Sequence, residues 1–292
     1  MNRGPKPLRA GDLVHPVAAS SALKAEALQR MASGIAVMES WGLQVHNHPA
    51  PLRQWGYFAG TDEERRNDLQ AEAALLACLR GGWGAARLLE QEPGLVKAQA
   101  EQWLLGFSDV TTLLWARQAA GATGGIHGPM LTTLGEEPPW SQERLRRLLF
   151  GEPLPALGGS CWRRGVAEGP LLVGNLSVAT HLLGTKHLPN LQGAVLIFED
   201  VGEAPYRIDR MLTHWRLCGA LQQLSAIGFG QFSSCDAPTS AFRLQEVLQE
   251  RTCDLGIPVL ADLPIGHEQG NAALPLGRQA RLDAERNVLE LI

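Results

Sequence analysis

One serine in this 292-residue sequence stands where a nucleophile could be held. Ser108 lies in the stretch LLGFSDVTTLL, in which two leucines precede a glycine and apolar residues recur at helical spacing after Asp109. The pattern predicts a tight turn from strand to helix, where backbone N–H groups stabilise developing negative charge. Serine and aspartate are also favoured helix N-caps, and on this stretch alone the capping interpretation is the better supported one.

A carboxylate that could orient a base follows the apolar run AVLIF at 194–198. That run predicts a buried strand ending on Glu199 and Asp200, with Glu203 four residues after Glu199. Glu203 comes just before Pro205, which suits a first helical position, so a structural role at that helix start explains Glu203. Glu199 lies too far upstream for this role and is the better candidate for catalysis.

A histidine that could act as a general base lies in LPIGHEQGNAALPLG, again after an apolar strand. His267 stands between glycine and glutamate in a predicted loop, from which an imidazole can reach across a crevice. His127, in GIHGPM, is interpreted as structural because glycine and proline shape a turn there. Ser108, Glu199 and His267 follow the chain order of the α/β-hydrolases, but G-x-S-x-G is absent, which argues against that fold.

A glycine-rich segment, RGGWGAARLL at 80–89, follows an apolar stretch and precedes a predicted helix. Gly81, Gly82 and Gly84 leave backbone N–H groups uncovered, so the loop could hold an oxyanion or a phosphate. Neither G-x-G-x-x-G nor the P-loop pattern is present, and a tight turn with close packing is the simpler alternative.

Composition excludes several classes of function. The formal net charge is -4 and the basic residues are dispersed, which argues against nucleic acid or an anionic membrane as partner. No His, Cys or acidic residues have metal-ligand spacing, and the five scattered cysteines suggest buried thiols in a reducing compartment. The basic N-terminus lacks the apolar core of a signal peptide, and no run is long enough to span a membrane. We therefore expect a cytoplasmic protein without metal or cofactor.

Strand and helix patterns alternate, which predicts an α/β protein with sites at the carboxyl ends of its strands. An N-terminal domain at 1–135, with a mostly parallel sheet flanked by helices, is expected to carry the nucleophile. A connection at 136–160 then leads to a second, smaller α/β domain at 161–292 that carries Glu199 and His267. The patterns predict the segments listed here: strands at 12–18 and 43–47, helices at 22–41, 62–76 and 141–150, a strand in PLLVGN, and helices from Ser177 and over 205–218.

Six ordered motifs resemble those of the LD-carboxypeptidases, or muramoyltetrapeptide carboxypeptidases. The motifs are RGGWGAARLL, GFSDVTTLL, HGPM, GNLSVATHLLGT, FEDVGEAPYRIDRML and LPIGHEQGNAALPLG. The resemblance implies a cytoplasmic, homodimeric serine peptidase without cofactor. Its reaction would cut an L,D amide bond and release the terminal D-alanine from a murein tetrapeptide in cell-wall recycling.

The same resemblance implies roles for individual residues. Ser108 would be the nucleophile, Glu199 the orienting acid and His267 the base, and the backbone N–H groups of Gly82 and Asp109 would form the oxyanion hole. In a mechanism of this kind, oxyanion-hole donors supply a sizeable share of catalysis.

Substrate contacts are less determined by the sequence. Trp83 stands where the family more often has tyrosine, which leaves the substrate preference open. Arg207 and Arg210, on the helix after Glu203, are candidates for binding the terminal carboxylate, although exposed arginines are usually only solvated.

Two other functions stay open. A self-immunity peptidase of the same family would use these residues on a peptide-nucleotide or acyl-sulfamoyl adenylate toxin, with Trp83 stacking on a base. A non-enzymatic protein would use the glycine loop to bind a nucleotide and would contain no reactive serine.

Overall fold

The structure, a computed structural model, describes residues 4–91, 102–236 and 241–292. The chain divides into two compact units. The first comprises Met1–Pro153 and Ala272–Leu276, and the second comprises Leu154–Asn271 and Gly277–Ile292. The predicted connection at 136–160 contains a helix, Pro139–Leu149, that belongs to the first unit.

The strands of the described residues are, in chain order, β1 (Leu13–Val17), β2 (Gln44–Val45), β3 (Leu75–Cys78), β4 (Trp103–Gly106), β5 (Gly125–His127), β6 (Leu157–Gly158), β7 (Ser160–Arg163), β8 (Val166–Asn175), β9 (Val195–Val201), β10 (Ala226–Ser233), β11 (Val259–Ala261), β12 (Leu274–Pro275), β13 (Gln279–Asp283) and β14 (Val288–Leu291). The α-helices are α1 (Leu28–Ser40), α2 (Asp62–Leu69), α3 (Leu88–Gln91), α4 (Thr111–Ala119), α5 (Leu131–Leu134), α6 (Pro139–Leu149), α7 (Leu176–Thr180), α8 (Pro205–Leu217) and α9 (Leu244–Thr252).

The first unit has a sheet in the order β12-β5-β4-β3-β1-β2. Strands β1 to β5 are parallel, and only the short β12 pairs antiparallel, with β5. The central strands β3 and β4 are buried along their whole length, as expected for a parallel sheet covered by helices. The predicted α/β class and mostly parallel N-terminal sheet are confirmed.

Helix α2 is shorter than the predicted helix at 62–76. It begins after Thr61, whose hydroxyl accepts the Glu64 N–H at 3.3 Å while the Glu64 carboxylate accepts the Thr61 N–H at 2.7 Å, forming a capping box. The prediction is wrong at Leu75 and Leu76, which form β3 and pair with both β1 and β4. The run AEAALLA has high helix propensity, but burial between two parallel strands overrides it.

The second unit has a sheet in the order β6-β14-β13-β8-β9-β10-β11-β7. Its central strands β8, β9, β10 and β11 are parallel, whereas the outer strands pair antiparallel. Helix α8 has Pro205 at its start, as predicted. Strand β9 includes Glu199 and Asp200, on which the predicted strand ends, and extends one residue further, to Val201.

The cysteines differ from the expected buried thiols. Cys78 and Cys235 are buried, but Cys161, Cys218 and Cys253 are exposed, and all five are free. Burial raises the pKa of the Cys78 thiol above its usual range and that of Cys235 to about 11, so neither is a thiolate near neutral pH.

None of the helices in the described ranges is long and apolar enough to cross a membrane.

Candidate active site

Three neighbouring strands of the first unit bring the candidate nucleophile and the glycine loop together. Strands β1, β3 and β4 are adjacent and parallel, so their carboxyl ends lie at one edge of the sheet. Ser21 follows β1, the glycine loop at 80–84 follows β3, and Ser108 follows β4. The topology therefore places these three segments side by side.

Ser108 adopts a conformation that is rare for a residue with a side chain. Its φ is 60°, at the start of a 3₁₀ turn, Ser108–Val110, that leads into α4. Neither this turn nor α4 has a side-chain cap, so Ser108 and Asp109 are not acting as the N-caps that the sequence also allowed. A strained residue of this kind persists where the surrounding structure holds it, and such residues cluster at functional sites.

The glycine loop lies directly against Ser108. A side-chain carbon placed on Gly81 would lie 2.9 Å from Ser108 Oγ and 3.4 Å from the Asp109 backbone nitrogen. Gly82 has a φ of 112°, a conformation that other residues rarely adopt. The absence of side chains thus lets backbone groups of the loop approach the Ser108 hydroxyl and the Asp109 amide.

Three side chains hold this loop in place. Trp83 donates its N–H to Ser21 Oγ at 2.9 Å, Arg65 Nη1 donates to the Gly84 carbonyl at 2.8 Å, and Ala85 donates its N–H to Asp109 Oδ2 at 2.9 Å. Arg65 and Asp109 are almost fully buried. Asp109 therefore connects the turn after β4 to the loop after β3 through its carboxylate.

The second unit brings together the candidate acid and base. Strands β9 and β11 belong to the same parallel set, and Glu199 lies toward the carboxyl end of β9 while His267 lies in the loop after β11. Glu199 Oε2 and His267 Nδ1 are 2.7 Å apart. The Glu199 side chain is fully buried and that of His267 is 20% exposed, so the ring retains an open side.

The pairing sets the tautomer and the pKa of His267. A carboxylate only accepts hydrogen bonds, so Nδ1–H donates to Glu199 and Nε2 is left as the acceptor. Burial lowers the pKa of His267, but the hydrogen bond and negative charge of Glu199, with the charge of Asp200, outweigh burial and raise the pKa above its usual value. Glu199 thus makes the imidazole a stronger base.

Two further side chains hold the backbone on either side of His267. Gly266 donates its N–H to Asn271 Oδ1 at 3.1 Å, and Glu268 donates its N–H to Gln231 Oε1 at 2.8 Å. The sequence patterns described above indicate neither Asn271 nor Gln231. Asn271 lies within the quoted motif and could have been found there, whereas Gln231 is 37 residues away from Glu268 and carries no local signal.

Asp200, next to Glu199, has a structural position. Its carboxylate accepts hydrogen bonds from Asn175 Nδ2 at 3.0 Å and from the Ser177 backbone and hydroxyl at 2.8 and 2.7 Å. Burial raises the pKa of Asp200, while the hydrogen bonds from Ser177 oppose the increase. The residue ties β9 to the start of α7.

The remaining candidates lie on the surface of their own units. Glu203 is in an ion pair with Arg207 at 3.4 Å, and the Arg210 guanidinium lies 5.5 Å from the centre of the Tyr206 ring. Trp83 is 43% exposed on the glycine loop. His127, by contrast, is fully buried in β5 and contacts the Phe107 ring edge-on at 5.8 Å, consistent with a structural role.

The described residues include no cluster of three or more His, Cys, Asp or Glu side chains placed to hold a metal ion. The Ser108 hydroxyl of the first unit and the Glu199 carboxylate and His267 imidazole of the second are groups used in nucleophilic and acid–base chemistry.

Comparison with known proteins assigns the chain to a class of peptidases. The LD-carboxypeptidase N-terminal domain matches residues 14–128 and the LD-carboxypeptidase C-terminal domain matches residues 168–282. The chain therefore belongs to the LD-carboxypeptidase family, which confirms the resemblance found in the sequence.

Relatives of known name agree with this assignment. A putative carboxypeptidase of Synechocystis sp. is 45% identical, covering 99% of this chain and 97% of the relative. The murein tetrapeptide carboxypeptidase of Pseudomonas aeruginosa is 34% identical, covering 92% of each chain.

Solved structures show the same fold. Muramoyltetrapeptide carboxypeptidase from Oxalobacter formigenes superposes with a TM-score of 0.84 at 28% identity, covering 96% of this chain and 97% of the other. The microcin C7 self-immunity protein MccF, in complex with aspartyl sulfamoyl adenosine, superposes with a TM-score of 0.88 at 22% identity, covering 99% and 98%. At that identity the likeness to MccF concerns the fold alone.

Proposed function

We propose that this protein is a serine carboxypeptidase that releases the terminal D-alanine from murein tetrapeptides by hydrolysing an L,D amide bond. Membership of the LD-carboxypeptidase family supports the peptidase activity. The named activity of the Pseudomonas aeruginosa relative supports the substrate. The observation that carries the proposal is the buried Glu199 carboxylate 2.7 Å from His267 Nδ1, because this contact prepares a base for a hydroxyl nucleophile.

In the proposed reaction, His267 Nε2 takes the proton of the Ser108 hydroxyl as its oxygen attacks the carbonyl carbon of the scissile amide. The resulting oxyanion is stabilised by the N–H groups of Gly82 and Asp109, and removing one such donor typically costs about 10²–10³ in rate. The protonated His267 then gives its proton to the departing amine, and D-alanine leaves.

The acyl-enzyme is hydrolysed in a second step of the same kind. His267 takes a proton from water, the hydroxide attacks the ester carbonyl, and Ser108 leaves with the proton returned by His267. Glu199 accepts the Nδ1–H hydrogen bond of His267 throughout and stabilises the imidazolium that forms in each step.

The test is product identification. The protein is incubated with murein tetrapeptides, and free D-alanine and the tripeptide are identified by mass, with Ser108→Ala as the inactive reference. The proposal fails if neither product forms, or if Ser108→Ala forms them at the wild-type rate.

A self-immunity function is the second candidate, and the exposed Trp83 favours it. An indole that is 43% exposed on the glycine loop could stack on a nucleobase. Cleavage of an acyl-sulfamoyl adenylate in preference to a tetrapeptide would support this function. If the Trp83→Ala variant loses that preference, the preference depends on stacking of the Trp83 indole on the nucleobase.

We also propose a cytoplasmic location and a homodimer, both on the strength of the family resemblance. Light scattering after size-exclusion chromatography tests the dimer, and a monomer mass across micromolar concentrations would contradict it. Fractionation of cells expressing the full chain tests the location.

A further inference from the structure

Arg80 differs from the other arginines near the glycine loop. Arg65 and Arg87 each make an ion pair with Asp62, and Arg53 makes one with Asp68. Arg80 instead donates from Nε to the Gly81 carbonyl at 3.3 Å and from Nη1 to the Ala22 carbonyl at 3.2 Å. Among the ion pairs of the described residues, none includes Arg80.

These two hydrogen bonds leave Arg80 Nη2 beside the glycine loop. A side-chain carbon placed on Gly82 would lie 3.7 Å from Nη2. Arg80 also lines a groove of about 740 Å³ in the first unit, together with Lys24, Glu26 and Tyr57. A held, half-buried cation thus faces a ligand-sized space next to a proposed oxyanion-hole residue.

Peptide geometry places a terminal carboxylate close to such a cation. The carboxylate carbon of a C-terminal residue is three bonds from the preceding carbonyl carbon, a path of roughly 4.3 Å from bonds of about 1.33, 1.46 and 1.52 Å. If the oxyanion is held by the Gly82 N–H, the carboxylate of the departing residue is within reach of a guanidinium beside Gly82.

We propose that Arg80 binds the terminal carboxylate of the substrate and so makes the enzyme an exopeptidase. This inference rests on the proposed function, and it differs from the expectation that Arg207 or Arg210 binds the carboxylate. Arg207 is already in an ion pair with Glu203, whereas Arg80 has only carbonyl partners in the hydrogen bonds given above. Arginine suits the task because its planar fork matches a carboxylate.

The experiment compares a murein tetrapeptide with its C-terminal amide. For Arg80→Gln we expect kcat/KM on the free acid to fall roughly 10–100-fold, the size expected for a lost charged hydrogen bond. Turnover of the amide should fall far less than turnover of the acid, because the amide loses only the contacts of Arg80 with the loop, so most of the preference for the acid disappears. Arg30→Gln, at an exposed position on α1, is the matched control, with thermal midpoints measured for each variant.

A merely structural Arg80 gives a different result. If Arg80 only shapes the glycine loop, Arg80→Gln lowers turnover of acid and amide equally, and the proposal is overturned. It is also overturned if Arg207→Gln or Arg210→Gln removes the preference while Arg80→Gln keeps it.

Binding to the Ser108→Ala protein separates this inference from the proposed function. Calorimetry with the acid and the amide should show tighter binding of the acid, and this difference should vanish in Ser108→Ala/Arg80→Gln. If the wild-type protein cleaves no tetrapeptide but this binding pattern holds, the proposed function fails and the assignment of carboxylate binding to Arg80 stands. Equal binding of acid and amide overturns the inference whether or not cleavage occurs.

Discussion

The two units hold the residues of the proposed reaction by different means. The first unit uses backbone: a serine at φ 60°, a glycine at φ 112° and amides held by distant side chains. The second uses side chains, with a fully buried carboxylate 2.7 Å from an imidazole. The first should therefore be sensitive to added volume and the second to lost charge.

Loss of charge in the second unit should have the largest effect. Glu199→Ala removes the group that holds the tautomer of His267 and raises its pKa, so kcat should fall about 10³–10⁴-fold with little change in folding. Steady-state kinetics and the thermal midpoint, measured beside Ser108→Ala, check this. A Glu199→Ala enzyme with normal turnover would mean that another group orients the base.

Added volume in the first unit should come next. In Gly81→Ala the new carbon would lie 2.9 Å from both Cβ and Oγ of Ser108, which forces the serine or the loop to move. We expect kcat to fall about 10²–10³-fold, the scale of losing an oxyanion donor. Gly158→Ala is the control, because an added carbon there meets nothing within 4 Å. Equal kcat values for the two variants would show that the position of the glycine loop does not affect catalysis.

A smaller effect is expected from loosening the loop. Ser21→Ala removes the acceptor of the Trp83 N–H, a contact of the kind that contributes about 0.5–1.5 kcal/mol, so kcat/KM should fall roughly 2- to 10-fold. Ser33→Ala on α1 removes a comparable exposed hydroxyl contact, to the Gln29 carbonyl, away from the loop and serves as control. A drop in stability without any kinetic change would make Ser21 a purely structural residue.

The smallest effect separates the two acids of FEDVGE. Glu203 precedes α8, pairs only loosely with Arg207, and its side chain is 25% exposed. Glu203→Ala should cost roughly 0.3–1 kcal/mol of stability through the lost interaction with the helix dipole and leave turnover nearly unchanged. Urea unfolding and kcat are the measurements. Inactivation as complete as that of Ser108→Ala would reverse the assignment of the acids.

The sequence indicated the candidate residues because each follows an apolar run. Ser108, Glu199 and His267 lie at or after strands that periodicity identifies, and parallel strands expose their carboxyl ends at a common edge. The class of fold followed from the same alternation of patterns. Their roles in catalysis stay predictions until the variants are measured.

Apart from Asn271, the residues that support the site were not predictable, because their contacts span long stretches of chain. Ser21 and Trp83 are 62 residues apart, and Arg65 reaches the Gly84 carbonyl through the interior of the first unit. The overextended helix at 62–76 has the same cause, since pairing of β3 with two distant strands leaves no local signal. Exposure of Cys161, Cys218 and Cys253 likewise depends on which strand or helix face meets solvent.

The central claim is that His267, held by Glu199, activates Ser108. Its most direct test is the rate at which a fluorophosphonate labels the protein as a function of pH, with the adduct located by mass. We predict a single adduct on Ser108 whose rate rises through a midpoint above about 6.5, because the raised pKa keeps His267 protonated to higher pH and only the neutral ring is a base. The Glu199→Gln variant should be labelled far more slowly and with a lower midpoint. Burial lowers the pKa of His267, and the variant lacks the Glu199 charge that raises it. Labelling that is independent of pH, or that persists in Ser108→Ala, would contradict the claim.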